Sequence, residues 1–151
     1  MHTKSFGAPL PLFDRFGAPL SDSGVQPGAV EALQMSLRLD LTRLLNVRNH
    51  LTVDEFLRGA PTSLDYGLPD TLHLSAQSAT DLQRWELVIA RAVALYEPRL
   101  RQVAVKVAPH PTWPSMAWVA ISATAILGRE RIQVHFEAGL ANRPTPWMRH
   151  A

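Results

Sequence analysis

At Pro98 the spacing of apolar residues changes, and that change restricts what the chain can fold into. Before it, Leu82, Trp85, Ile89, Val93 and Tyr96 recur every three or four residues, the period of a helix with one buried face. After it, Val103, Val105 and Val107 alternate with Ala104 and Lys106, the period of a half-buried strand. Proline disfavours helix at the residue before it, so the helix predicted from about Thr80 stops at Tyr96. Thr80 and Gln83 are placed to cap its start, and Asp81 suits the positive end of the helix dipole.

Other segments extend the pattern in both directions. A first helix is predicted over Pro27–Asn46, with Val30, Leu33, Leu37, Leu41 and Leu44 on its core face. Met35 and Leu39 fall on the opposite side. They are either surface hydrophobes and secondary contacts, or the mark of a helix sandwiched by a partner. Thr52 and Glu55 form a capping box after Leu51, which can staple to Phe56. Residues 63–70 read as a loop in which Gly67 holds a positive φ. Ala108–Ser115 is a proline-broken loop, and a strand follows over 116–126 with Val119, Ile121 and Ala123 on one face and Trp118 on the other. Gly128-Arg129-Glu130 is the turn into a last strand, Arg131–Ala138, with Ile132, Val134 and Phe136 inward. The class is α+β: two main helices on one face of a small antiparallel sheet of three or more strands, a C-terminal meander. Three strands cannot close a barrel, so the sheet keeps open edges.

The division along the chain is a Pro/Gly-rich arm at 1–26, one domain at 27–140, and a loose tail at 141–151. The arm repeats Phe-Gly-Ala-Pro-Leu at residues 6 and 16, which is too short to be a structural repeat. Between the copies, Leu12, Phe13 and Phe16 flank Asp14 and Arg15. A free arm gains nothing by exposing these, so they either pack on the domain or dock on another protein.

Composition excludes several functions. The chain has 151 residues and no cysteine, which removes disulfides, thiol nucleophiles and cysteine-ligated metal. A net charge of +2 and tryptophans that do not interleave with basic residues argue against nucleic acid. The six histidines stand singly, without ligand spacing, so no metal or other cofactor is expected. Asp65, Asp70 and Glu97 are the carboxylates nearest to apolar, turn-rich surroundings, but nothing pairs them for catalysis, and no small-molecule substrate is indicated. The longest apolar run, Met116–Leu127, is too short to span a bilayer, and no signal-peptide core follows Met1. These features lead us to expect a non-enzymatic, cytoplasmic protein.

One constellation stands apart, at the junction of helix and strand: Glu97-Pro98-Arg99-Leu100. Either Arg99 pairs internally, with the helix end or a nearby carboxylate, or the stiff turn presents Glu97 and Arg99 to a partner. This turn resembles that of the phage baseplate-wedge family, historically labelled lysozyme-like. Other blocks agree in order: Asp40-Leu41 with Leu44-Leu45-Asn46 and Arg48, then Ser63 to Asp70, then the last two strands. Leu12 to Phe16 is similar to an extra block of the bacterial branch, the type VI secretion baseplate subunit.

The resemblance implies a structural component of a contractile injection machine. Its partners would be other wedge subunits and sheath subunits, its place a cytoplasmic baseplate docked at the inner membrane, and its contact with membrane only indirect. It also implies that the first sheath ring adds strands to the sheet. The residues it marks for partner binding are Glu97, Pro98, Arg99, Leu12, Phe13, Arg15, Tyr66, Gly67, Val134 and Phe136. On this reading, charge reversal at Arg99 removes partner capture and leaves the isolated fold intact. The alternatives are a lysozyme-type cell-wall hydrolase, as the label suggests, and an interaction adaptor outside any such machine.

Overall fold

The computed structural model describes residues 28–141. The segment with Leu12, Phe13 and Arg15, and the tail from residue 142, lie outside the described residues. In chain order the elements are α1 (Ala29–Asn46), β1 (Arg48–Thr52), α2 (Val53–Arg58), a 3-10 turn (Ser63–Asp65), β2 (Leu68–Asp70), α3 (Ala79–Tyr96), β3 (Leu100–Pro109), β4 (Met116–Leu127) and β5 (Glu130–Ala141). The three long strands form an antiparallel sheet in the order β3-β4-β5, and β1 and β2 form a separate parallel pair. The fold is α+β, with helices packed on the sheet.

The periodicities explain this arrangement. Leu33, Leu37, Leu41 and Leu44 of α1 and Trp85, Ile89 and Val93 of α3 are buried, and Val88 and Ala92 widen the α3 stripe. They meet Val105, Val107, Val119, Ile121, Ala123, Ile132, Val134 and Phe136 from the sheet in one core. In this layer α3 lies against β3 and α1 against β5. Val30 and Tyr96 are only partly buried, at the margins of the core. Met35 and Leu39 are exposed, at 67% and 62%.

Several boundaries differ from the sequence reading. The cap of α3 is Ser78, two residues before Thr80, and its hydroxyl accepts from the Asp81 N–H at 3.3 Å. Residues 63–70 are not one loop: a 3-10 turn capped by Thr62 leads through Gly67 into β2. Strand β1 had no counterpart in the sequence reading. Glu130 pairs with Leu127, so the last turn is the pair Gly128-Arg129, with Gly128 at φ +63°. The capping box at Thr52 and Glu55 is present in both directions. Thr52→Ala should therefore lower stability by about 1 kcal/mol while Thr52→Ser keeps it, read as the midpoint of chemical denaturation. An unchanged midpoint for the alanine variant would mean that α2 is held by Val53 and Phe56 alone.

Candidate partner-binding site

Helix α3 ends in a tight turn. The Glu97 N–H bonds back to Val93 O at 2.9 Å, and the Leu100 N–H closes onto Glu97 O at 3.2 Å. Pro98 occupies the second position of this four-residue turn, where its fixed φ is already correct. The turn brings Arg99 back over Glu97. Arg99 Nε donates to Glu97 Oε1 at 2.6 Å and a terminal nitrogen donates to Oε2 at 2.9 Å, a two-pronged fork. The same guanidinium reaches α1, donating to Ser36 Oγ at 3.1 Å and Asp40 Oδ2 at 2.5 Å. The fork with Glu97 holds the Arg99 pKa above its ordinary value, with the charge of Asp40 adding to it and burial opposing it.

Glu97 is only 5% exposed and Arg99 is half-buried. The turn therefore does not hold a free carboxylate out to solvent. Its surface is the outer side of Arg99, with Asp40 and the exposed Arg43 beside it, 3.8 Å from Asp40. Of the two readings of Arg99, internal pairing is the one that the geometry realises.

Tyr66 and Gly67 are brought to the same end of the molecule. Tyr66 stacks edge-on against Tyr96 at 5.2 Å, and the Tyr96 hydroxyl donates to Thr62 O at 2.8 Å. Burial raises the Tyr66 pKa, and Asp40 and Glu97 raise it further against the opposing charge of Arg43, which places this phenol in the field of the Arg99 cluster. Gly67 has φ +114° and lies against the Val47 carbonyl. The positive φ expected there is observed. Arg48 reinforces the corner by donating to the Leu45 carbonyl at 2.6 Å near the end of α1, and burial lowers its pKa.

Val134 and Phe136 lie elsewhere, on β5. Their side chains are buried and floor a shallow groove walled by Gln34, Arg38 and Leu41 of α1 and by Gln133 and His135. Helix α1 thus separates two surfaces, the braced turn on one flank and the β5 edge on the other. Sequence reasoning missed Ser36 and Asp40 as partners of Arg99, and Arg38, Gln133 and His135 at the groove. Asp40 lay within a quoted block, but nothing in its spacing pointed across to Arg99.

Among the described residues no cluster of His, Asp and Glu could hold a metal ion, and no helix is long and apolar enough to cross a membrane. What they build is an α+β module with a braced turn on one flank of α1 and a strand edge on the other. The chain belongs to the family of baseplate wedge protein gp25, whose model matches residues 31–129.

Among solved structures, it is similar to a chain of the baseplate complex from the type VI secretion system. That match has a TM-score of 0.53 and 17% identity, covering 76% of this chain and 98% of that one. At this identity the likeness speaks for the fold. A Geobacter sulfurreducens protein described as a tail lysozyme matches at a TM-score of 0.46 and 20% identity, covering 78% of this chain and 96% of that one. No curated protein matches the chain.

Proposed function

We propose that this chain is a non-enzymatic wedge component of the baseplate of a contractile injection machine of the type VI class. In that role it joins other wedge subunits and seeds the sheath by accepting added strands. The observation that carries the reading is the family match over residues 31–129, which takes in nearly all of α1, all of α2 and α3, and the first two strands of the meander. The open antiparallel sheet supplies the physical means, because an unpaired edge offers main-chain donors and acceptors to an extended segment.

In this reading the domain is 27–140, and the arm at 1–26 docks on a neighbouring subunit through Leu12, Phe13 and Arg15. The turn Glu97-Pro98-Arg99, with Tyr66 and Gly67, shapes a wedge contact. The assembled baseplate sits on the cytoplasmic side of the inner membrane and brings the chain near membrane only through that assembly.

The test is affinity capture of the tagged full chain from cells that assemble the machine. Baseplate and sheath subunits should co-purify, and the pure chain should show no turnover of cell-wall substrate. Capture without either class of subunit, or cell-wall turnover abolished by a carboxylate-to-amide change, would overturn the reading.

A further inference from the structure

The two sheet edges are not equivalent, and the geometry points to β5 as the edge that takes an added strand. This rests on the strand-addition reading above and assigns its site and the chemistry of its occupant. In an antiparallel ladder, alternate residues turn both N–H and C=O toward the neighbouring strand, and the residues between turn theirs away. On β3 the Val107 N–H leaves the ladder and donates to Glu86 Oε1 of α3 at 3.0 Å. The His110 N–H, in contrast, bonds across to Met116 O. The outward positions in the regular half of β3 are therefore Val105, Val107 and Pro109. Glu86 caps one, and proline leaves another without a donor. Below them the register shifts between Arg101 and Ala104, where Gln102 has φ +53°. Such a bulge twists an edge and blocks regular pairing.

Strand β5 has none of these protections. It pairs with β4 from Leu127↔Glu130 to Met116↔Ala141 without a shift. Continuing the alternation through β4 places the amides and carbonyls of Arg131, Gln133, His135, Glu137 and Gly139 on the outer edge. Among the described residues none of these main-chain groups has a partner. They span about 27 Å of strand at about 3.4 Å per residue. Val134 and Phe136, by the same alternation, bond to β4 and contribute only the groove floor.

The groove defines the occupant. A strand laid on β5 turns alternate side chains down onto Val134, Phe136 and Leu41, which suits apolar residues. The wall carries Arg38, and Arg131 lies on the edge itself. Both are exposed, and neither has an ion-pair partner among the described residues. Farther along β5, Glu137 lies 3.2 Å from His135. The occupant is an extended segment of another protein chain, alternately apolar, with a carboxylate opposite Arg38.

Proline scanning of the full chain separates the edges, with purified sheath subunits of the same machine as the probe. At an outward-facing residue, proline deletes one edge donor and leaves the ladder bonds to the neighbouring strand in place. Gln133→Pro and His135→Pro should each weaken capture by about tenfold or more, as expected for losing a main-chain bond and its register, and Val105→Pro should not. Arg38→Glu should weaken it similarly without changing the thermal midpoint, and full binding by that variant would overturn the acidic occupant. If Val105→Pro abolishes capture while the β5 variants bind, the edge assignment is wrong and strand addition survives. If all three bind like the parent, strand addition itself fails. If the β5 proline variants do not fold, hydrogen exchange on the unaltered chain decides. Sheath subunits should slow exchange at Arg131, Gln133, His135 and Glu137 and leave Val105 unchanged, and the reverse pattern overturns the proposal.

Discussion

Arg99→Ala is expected to lower the stability of the isolated chain by about 3 kcal/mol, near the lower end of the cost of breaking a buried ion pair. The size follows from what the substitution leaves behind. Glu97 is 5% exposed, and both of its carboxylate oxygens accept from Arg99 alone among the described residues. Without the guanidinium, a buried charge loses its partner, and the bridges to Ser36 and Asp40 that tie the turn to α1 go with it. Lysine should recover less than half the loss, because an ammonium cannot make the two-pronged contact while also reaching Asp40. Adding Glu97→Gln to the alanine variant should recover part of it, since the stranded charge is gone.

Urea denaturation of the single and double variants measures each term, and the double-mutant cycle isolates the coupling. This expected loss runs against the reading in which charge reversal at Arg99 spares the isolated fold, and the same measurement decides between them. A lost partner contact in such a variant counts as evidence about the partner only after the remaining folded fraction is known. Parental stability in Arg99→Ala would show that the fork braces nothing, and would return Arg99 to a role at an interface.

The two kinds of element differed in how far sequence alone could reveal them. Helices α1 and α3 and strands β4 and β5 each keep one apolar period over ten or more residues, and β3 keeps one from Val103 to Val107, so their faces are legible in the sequence. Strand β1 has no such signal: Arg48, Asn49 and His50 are polar in a row, and Leu51 is its one large apolar residue. Its partner β2 is three residues long and contains Pro69. What holds this corner is tertiary. The Leu68 N–H bonds to Val47 O, and the Asn49 side chain donates to Asp65 O and Gly67 O. Thr80 with Gln83 matches the capping-box pattern, whereas Ser78, the residue that caps α3, is followed at that spacing by Asp81 and gives no such signal. At the candidate site, proline and its neighbouring charges marked the turn, but its partners Ser36 and Asp40 lie about sixty positions back in the chain. Charge pairing over that distance leaves no period to read.

The corner itself supplies the other large effect. Gly67→Ala is expected to cost about 4 kcal/mol, enough to leave many small domains partly unfolded. Two penalties combine. At φ +114° any side chain is strained, at about 1–3 kcal/mol. A Cβ there would also lie 2.6 Å from the Val47 carbonyl oxygen and 2.9 Å from its carbon, and backbone cannot step aside as a flexible side chain can. Relief would require moving Val47, whose carbonyl accepts from Leu68, so the β1–β2 pair would open as the turn shifts. Gly128 is the internal control. It also has a positive φ, +63°, but a Cβ there meets nothing within 4 Å, and the angle is one that asparagine tolerates. Gly128→Asn should cost under about 1 kcal/mol. Thermal and urea unfolding of the two variants side by side measures the difference, which is the strain of a side chain at φ +114° together with the contact with Val47. Equal losses at both positions would show that neither the wider φ nor the close approach to Val47 makes Gly67 special, and that this contact is not what anchors Tyr66 beside the Arg99 cluster.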